Sequence, residues 1–350
     1  MDIIRQYPGT DYALNAQKDL AFVYIQAGND SAAGQAIDTL KNDYTGHPEL
    51  FTNIYEFAKY YRRRGKLDKA RELYQYVFEN CPDSDLAAKS LRWVASCEIE
   101  SGNYSAAEQA IDTLKNDYAG HPELGWLYKL GDEYRRQKKY EEAKQLYQYI
   151  LDNYPDSEYL IWAKAGIIQS DIALGNDPNI TEELDGLIAD FVDNPGLPEA
   201  LCIIGEDYGV KASELKKKGL ETEADEYFRK AVSVWERVIH EFPNSDLVPR
   251  AYYCSAGCYG HELAEYEKAI EYYQKILDNW PYFDYRRASY AQFGITRCYQ
   301  NLEKSGRISP EEAATGIIQA CNNLLANYPE TNPAILQAAR KLLDKYKVSK

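Results

Sequence analysis

Apolar residues recur along most of the chain at the three- and four-residue spacing of an amphipathic helix. Leu127, Leu130, Gly131 and Tyr134 form one such face, Tyr140, Ala143 and Tyr147 a second, and Pro155 follows. The same arrangement precedes Pro82 as Ile54, Phe57, Ala58, Tyr61, Ala70 and Tyr74. It precedes Pro281 as Tyr253, Gly257, Tyr266, Ala269 and Tyr273, with Gly260 where the others carry an aromatic ring. Pro8, Pro48, Pro82, Pro122, Pro155, Pro198, Pro243, Pro281 and Pro329 close successive helix pairs, because a proline just past a helix cannot continue it. The pattern predicts an all-α chain of helix–turn–helix units.

A longer period lies over the short one. Gly28–Leu50 returns at Gly102–Leu124, a shift of 74 residues, and only three of the 23 positions differ. Asp30 becomes Tyr104, Gly34 becomes Glu108 and Thr45 becomes Ala119. A near-copy at this period marks a repeat architecture of two-unit blocks.

The units resemble the tetratricopeptide repeat, whose signature places large–Leu–Gly–Tyr on a first helix and Ala–aromatic–Pro on a second. Leu127, Leu130, Gly131, Tyr134, Ala143, Tyr147 and Pro155 match it most fully. Small Gly or Ala at the helix crossing lets backbones approach, and large residues fill the space beside it. The resemblance covers nearly the whole chain. It implies a right-handed superhelical solenoid of antiparallel helix pairs, about eight of them, plus a C-terminal capping helix.

Departures from the period divide the chain. Residues 1–175 read as an N-terminal array whose first unit is truncated, because Ile3–Pro8 aligns with Ile150–Pro155, inside the last turns of a helix. Residues 176–198 fit the consensus poorly, with Pro178, Pro195 and Pro198, and are expected to form an irregular seam. Residues 199–350 form a C-terminal array. There Gly205 to Ala231 spans 26 residues where Gly131 to Ala143 spans 12, which predicts an elongated hairpin tipped near Lys216-Lys217-Lys218-Gly219. Ser309-Pro310-Glu311-Glu312 is a capping box. Residues 332–346 form a polar-backed capping helix with a stripe of Ile335, Ala338, Leu342 and Leu343.

Composition narrows the classes. A formal net charge of −15 opposes a general nucleic-acid or anionic-membrane surface, and no apolar run reaches the length of a membrane span. Seven scattered cysteines are not a disulfide framework; reduced thiols favour a cytoplasmic setting, and a signal peptide on the full-length gene would instead indicate the periplasm.

Catalytic signatures are absent: no G-x-S-x-G, no glycine-rich phosphate loop and no Cys-x-x-Cys. His261-Glu262-Leu263-Ala264-Glu265 lacks the second histidine of a zinc-protease helix. Cys254, Cys258 and His261 share a helix face, but a structural zinc site needs a fourth ligand, so they read as packed thiols beside a turn histidine. No catalytic residue, metal or cofactor is expected. His47 and His121 belong to the copied Gly-His-Pro-Glu turns and read as turn residues. The sequons at Asn29, Asn103 and Asn179 read as helix caps.

The resemblance also implies a groove lined by the inner faces of the first helices. Carried over residue by residue, that face offers Asn15, Lys18 and Phe22, then Thr52, Tyr55, Lys59, Arg62 and Arg63. It continues with Lys89, Arg92 and Ser96, then Tyr128, Asp132, Arg135 and Arg136. Cations interleaved with tyrosines on an acidic protein suit an acidic or carboxylate-terminated peptide. Arg62, Arg63, Arg135 and Arg136 also end helices, where cations offset the helix dipole. Phe22 stands where the family's carboxylate-clamp subclass has asparagine, so that subclass is not implied.

The leading expectation is a non-catalytic scaffold, a region of a larger protein, binding a peptide or protein domain in this groove. Two alternatives stand beside it. Phrases such as YPGTDYALNA and FPNSDLVPRAYY resemble turns of bacterial outer-membrane assembly lipoproteins, which implies an exported envelope-assembly factor. The chain also fits a regulatory or targeting arm of an enzyme whose catalytic domain lies elsewhere. Self-association through an exposed helix face is a further possibility.

Overall fold

A computed structural model of the chain describes residues 4, 6, 7, 9–176, 180–281 and 284–347. Ile3, Arg5 and Pro8 of the truncated-unit reading, together with Pro178 and Asn179, lie outside these residues. Among the described residues there are 17 α-helices and no strand. In order they are α1 Asp11–Gln26, α2 Asp30–Asp43, α3 Leu50–Arg63, α4 Leu67–Asn80, α5 Asp85–Ser101, α6 Tyr104–Asp117, α7 Leu127–Arg136, α8 Tyr140–Asn153 and α9 Leu160–Leu174. They continue as α10 Ile180–Phe191, α11 Leu197–Lys217, α12 Glu221–Glu241, α13 Val248–Gly257, α14 Tyr266–Asn279, α15 Tyr285–Lys304, α16 Pro310–Asn327 and α17 Pro333–Lys347. No helix is long and apolar enough to cross a membrane among the described residues.

The chain divides into two compact units, residues 1–170 and 171–350. In the first, α1–α2, α3–α4, α5–α6 and α7–α8 are packed pairs, each a first and a second helix. The α1–α2, α3–α4 and α5–α6 turns need left-handed backbone, supplied by Gly28, Gly65 and Gly102; at the α7–α8 turn Lys138 adopts it at φ 59°. Tyr147 of α8 shows how the pattern of small and large residues works. A Cβ on Gly131 would lie 2.5 Å from its ring and one on Gly166 2.4 Å, so two glycines make its slot. The ring is fully buried, and its hydroxyl donates to Asp132 Oδ1 at 2.7 Å.

The copied Gly-His-Pro-Glu turns behave alike. His47 Nδ1 accepts the Glu49 N–H at 3.2 Å, and its Nε2 meets Asp11 Oδ1 at 3.1 Å. His121 repeats this with Glu123 at 3.1 Å and Asp85 at 3.2 Å. Each histidine fastens its turn to the start of the preceding first helix.

The copies are told apart by the next pair. Lys66 and Lys69 bind the Asp30 carboxylate at 2.9 and 3.2 Å. Lys139, which stands where Lys66 does, lies over the ring of Tyr104 at 4.7 Å. Capping differs too: the Asn29 side chain accepts the Ala32 N–H at 3.1 Å, whereas Asn103 makes no side-chain cap and donates to Glu98 at 2.8 Å. The capping role expected for Asn103 is therefore corrected, because Glu98 draws its amide away from the helix start.

In the second unit, α11 and α12 are 21 residues each against 14 in α3 and α4, and the chain turns at Lys218 and Gly219. The lengthened hairpin is where the Gly205–Ala231 spacing places it. Trp235 fills the space over Gly205, where a Cβ would sit 2.4 Å from the indole. Three expectations change. Residues 176–198 are not irregular throughout: α10 forms there, with Ile180, Leu184, Leu187 and Ile188 buried at helical spacing. Gly257 is not a close crossing point, since Tyr273 packs on Gly294 and nothing lies within 4 Å of a Cβ at 257. The α17 stripe runs through Ile335, Ala339, Leu343 and Tyr346, leaving Ala338 and Leu342 half-buried. The Ser309–Glu312 capping box forms as expected, with Pro310 in the first turn.

Candidate functional site

The first helices α3, α5 and α7 stand side by side in the first unit, with α3 touching α5 and α5 touching α7. They position most residues of the expected groove. Arg62 lies in the last turn of α3, and its Nη2 donates to Ser96 Oγ at 2.9 Å, to Glu100 and to Glu133 Oε1 at 3.3 Å. Arg92 of α5 is buried and pairs with Glu123 at 3.0 Å. Arg135 donates to Gln169 at 2.8 Å and lies 3.7 Å from Asp132. Lys59 pairs with Glu56 at 2.7 Å within one helical turn. In the first unit's α1, Lys18 bonds to Asn15 at 2.8 Å, and Phe22 packs edge-on against Phe57 at 4.7 Å.

The basic stripe is therefore mostly an internal lattice of alternating charge. Arg62, Arg92 and Arg135 are engaged by the protein itself. Arg63 and Arg136 are exposed, and among the described residues neither they nor the half-buried Lys89 has a carboxylate partner. Burial acts on the carboxylates of the lattice: it pushes both Glu133 and Asp132 above the usual range, against the pull of Ser96 and Arg62 on the former and Tyr147 on the latter.

Aromatic rings run through the same lattice. Tyr55 accepts the Trp93 indole N–H at 2.9 Å. Trp93 carries the guanidinium of Arg62 at 4.4 Å and that of Arg92 at 4.3 Å. Arg92 also lies 5.9 Å from the ring of Trp126, which bears Lys129 at 4.3 Å. Tyr128 and Tyr159 continue the stack, 5.3 Å apart with planes at 22°. Burial raises the hydroxyl of Tyr55 and pushes that of Tyr128 up to about 12, so both stay protonated donors at neutral pH. Tyr55, Trp93, Trp126, Tyr128 and Tyr159 are all half-buried, each presenting part of its ring to solvent.

Trp93, Trp126, Tyr159 and Lys129 were not legible as groove residues. Trp93 follows Arg92 and Lys129 follows Tyr128, so adjacency to two expected positions was the available signal. Elsewhere, the thiols of Cys254 and Cys258 are raised by burial to about 11 and about 12, and burial lowers His261. Among the described residues no group of three or more His, Cys, Asp and Glu is placed to hold a metal ion.

Sequence models described as tetratricopeptide repeat match residues 55–122, 127–157, and 208–234 with 251–279. No curated protein matches the chain. Among solved structures, a tetratricopeptide repeat protein from Parabacteroides merdae ATCC 43184 is similar at 18% identity, covering 79% of this chain and 98% of that one, with a TM-score of 0.42. A putative kinesin light chain from Podosopora anserina with nearly identical TPR-like repeats is 19% identical over 51% of this chain and 95% of its own, with a TM-score of 0.37. A structure of Naa15/Naa10 bound to HypK-THB overlaps 97% of this chain and 51% of that one at 16% identity and a TM-score of 0.40. These overlaps are loose, and kinship rests on the repeat matches.

Proposed function

The chain belongs to the tetratricopeptide repeat superfamily, and from that premise we propose that it is a non-catalytic scaffold holding a peptide or protein segment along α3, α5 and α7. One observation carries the reading. A continuous stack of half-exposed rings threaded by the buried Arg92, from Tyr55 through Trp93, Arg92 and Trp126 to Tyr159, crosses successive repeats on one face of the first unit. Such rings offer rigid contact area at little entropic cost, and repeat surfaces are already formed before a partner arrives. Trp93 already has the guanidinium groups of Arg62 and Arg92 and the ring of Tyr74 against it, so a partner meets the part of the ring left open together with the exposed cations Arg63 and Arg136. That chemistry suits a segment carrying carboxylates. The seven free cysteines suit a reducing compartment, and we place the chain in the cytoplasm.

The test is to select binding peptides from a random library on the whole chain and map them by hydrogen–deuterium exchange. Protection concentrated in α3, α5 and α7 is expected. Protection confined to the second helices or to the second unit would overturn the assignment of the face.

A further inference from the structure

The turns after the first helices provide a common ruler. In each, the left-handed residue is Gly28, Gly65, Gly102 or Lys138, and the residue two places before it holds an equivalent position on successive repeats. Those residues are Gln26, Arg63, Glu100 and Arg136, and all four are exposed. The row therefore reads neutral, positive, negative, positive. Neither of its two cations is held in a close ion pair among the described residues. Among the described residues the Arg63 guanidinium has no carboxylate within ion-pair distance, and that of Arg136 touches the Asp132 carbonyl through Nε at 3.3 Å and acts on the Asp132 and Glu133 carboxylates only from longer range. Glu100 between them is already held by Arg62.

We propose that this row selects the partner: an extended peptide segment with two acidic side chains about six residues apart and no acid midway, lying across α3, α5 and α7. The proposal rests on the scaffold reading above and adds the partner's charge spacing. The spacing follows from two lengths. Packed helices lie about 8–10 Å apart, so two repeat steps carry Arg63 to Arg136 across roughly 16–20 Å. An extended chain rises about 3.3 Å per residue, so five or six residues cover that distance. An acid at the midpoint would face Glu100, a like charge without an uncommitted cation beside it, whereas a lysine or a neutral residue would not be repelled.

The test is a random twelve-residue phage-display library panned against the whole chain and against an Arg63→Glu/Arg136→Glu double variant, with circular dichroism confirming unchanged helicity. On the wild type, Asp/Glu pairs six apart should be enriched over pairs three or nine apart by about three-fold for each charge contact. On the double variant the same spacing should carry Lys or Arg instead. Enriched peptides that lack this spacing, or an unchanged preference on the double variant, overturn the proposal. If such peptides still protect α3, α5 and α7 from exchange, the scaffold reading survives without the spacing rule. If no peptide is enriched, both fall together.

Discussion

Arg62 and Glu133 meet at 3.3 Å although 71 residues separate them. The contact ties α3 to α7 across α5 and gives an almost buried carboxylate its cation. Arg62→Ala leaves Glu133 without that cation and should cost about 3 kcal/mol in urea unfolding. Arg63→Ala, one residue on and exposed, should stay within about 0.5 kcal/mol. Equal losses would mean that the pair does not stabilise the first unit.

Glu133 also sets a pH dependence. Burial is the largest influence and holds its carboxyl above the ordinary value of 4.5. A raised folded pKa gives stability that is complete below the unfolded value and lost as pH rises through the folded one. Glu133→Gln, which removes the charge and keeps an acceptor for Ser96, should melt above wild type at pH 7. The gap should close as pH falls toward 4.5. A Gln variant that is less stable at neutral pH would show that Arg62 more than offsets the burial.

Tyr147 and its two glycines form a coupled set. Tyr147→Ala should cost about 3–5 kcal/mol by leaving a cavity between α7 and α9. Gly131→Ala drives a methyl into the ring and should cost about 1–3 kcal/mol. The glycine substitution should do less harm in a Tyr147→Leu background, and strict additivity of the two changes in a double-mutant cycle would contradict the fit.

His47→Ala and His121→Ala should each lose about 1 kcal/mol, because each removes the same acceptor from a turn N–H. Thermal denaturation of the two single variants checks the equivalence. A difference above about 1 kcal/mol would show that the copied turns do different structural jobs.

Helix identity was legible because the apolar period and the prolines are local signals. The long α11–α12 hairpin could be read from spacing alone. The character of the groove could not. Arg62 and Arg135 read as helix-end cations, but the groups that engage them, Glu100, Glu133 and Gln169, come from other helices 34 to 71 residues away. Trp93 and Trp126 were hidden in a chain where most aromatic residues fill the core. The α10 helix was masked by prolines at both ends of its stretch, although Ile180, Leu184, Leu187 and Ile188 carry the helical period between them.

Near-identical segments create an addressing problem that their packing alone does not solve. The buried faces of α2 and α6 are interchangeable, so the folding chain could seat one in the other's place and loop out a whole two-unit block. Position 30 and its counterpart 104 are where the two copies meet different partners. Lys66 and Lys69 find a carboxylate there, and Lys139 finds an aromatic ring. Exchanging those two residues, Asp30→Tyr with Tyr104→Asp, would put a carboxylate beside the buried ring of Tyr134 and give each lysine the wrong partner. The cost would fall on fidelity of assembly as well as on the layer around Tyr134.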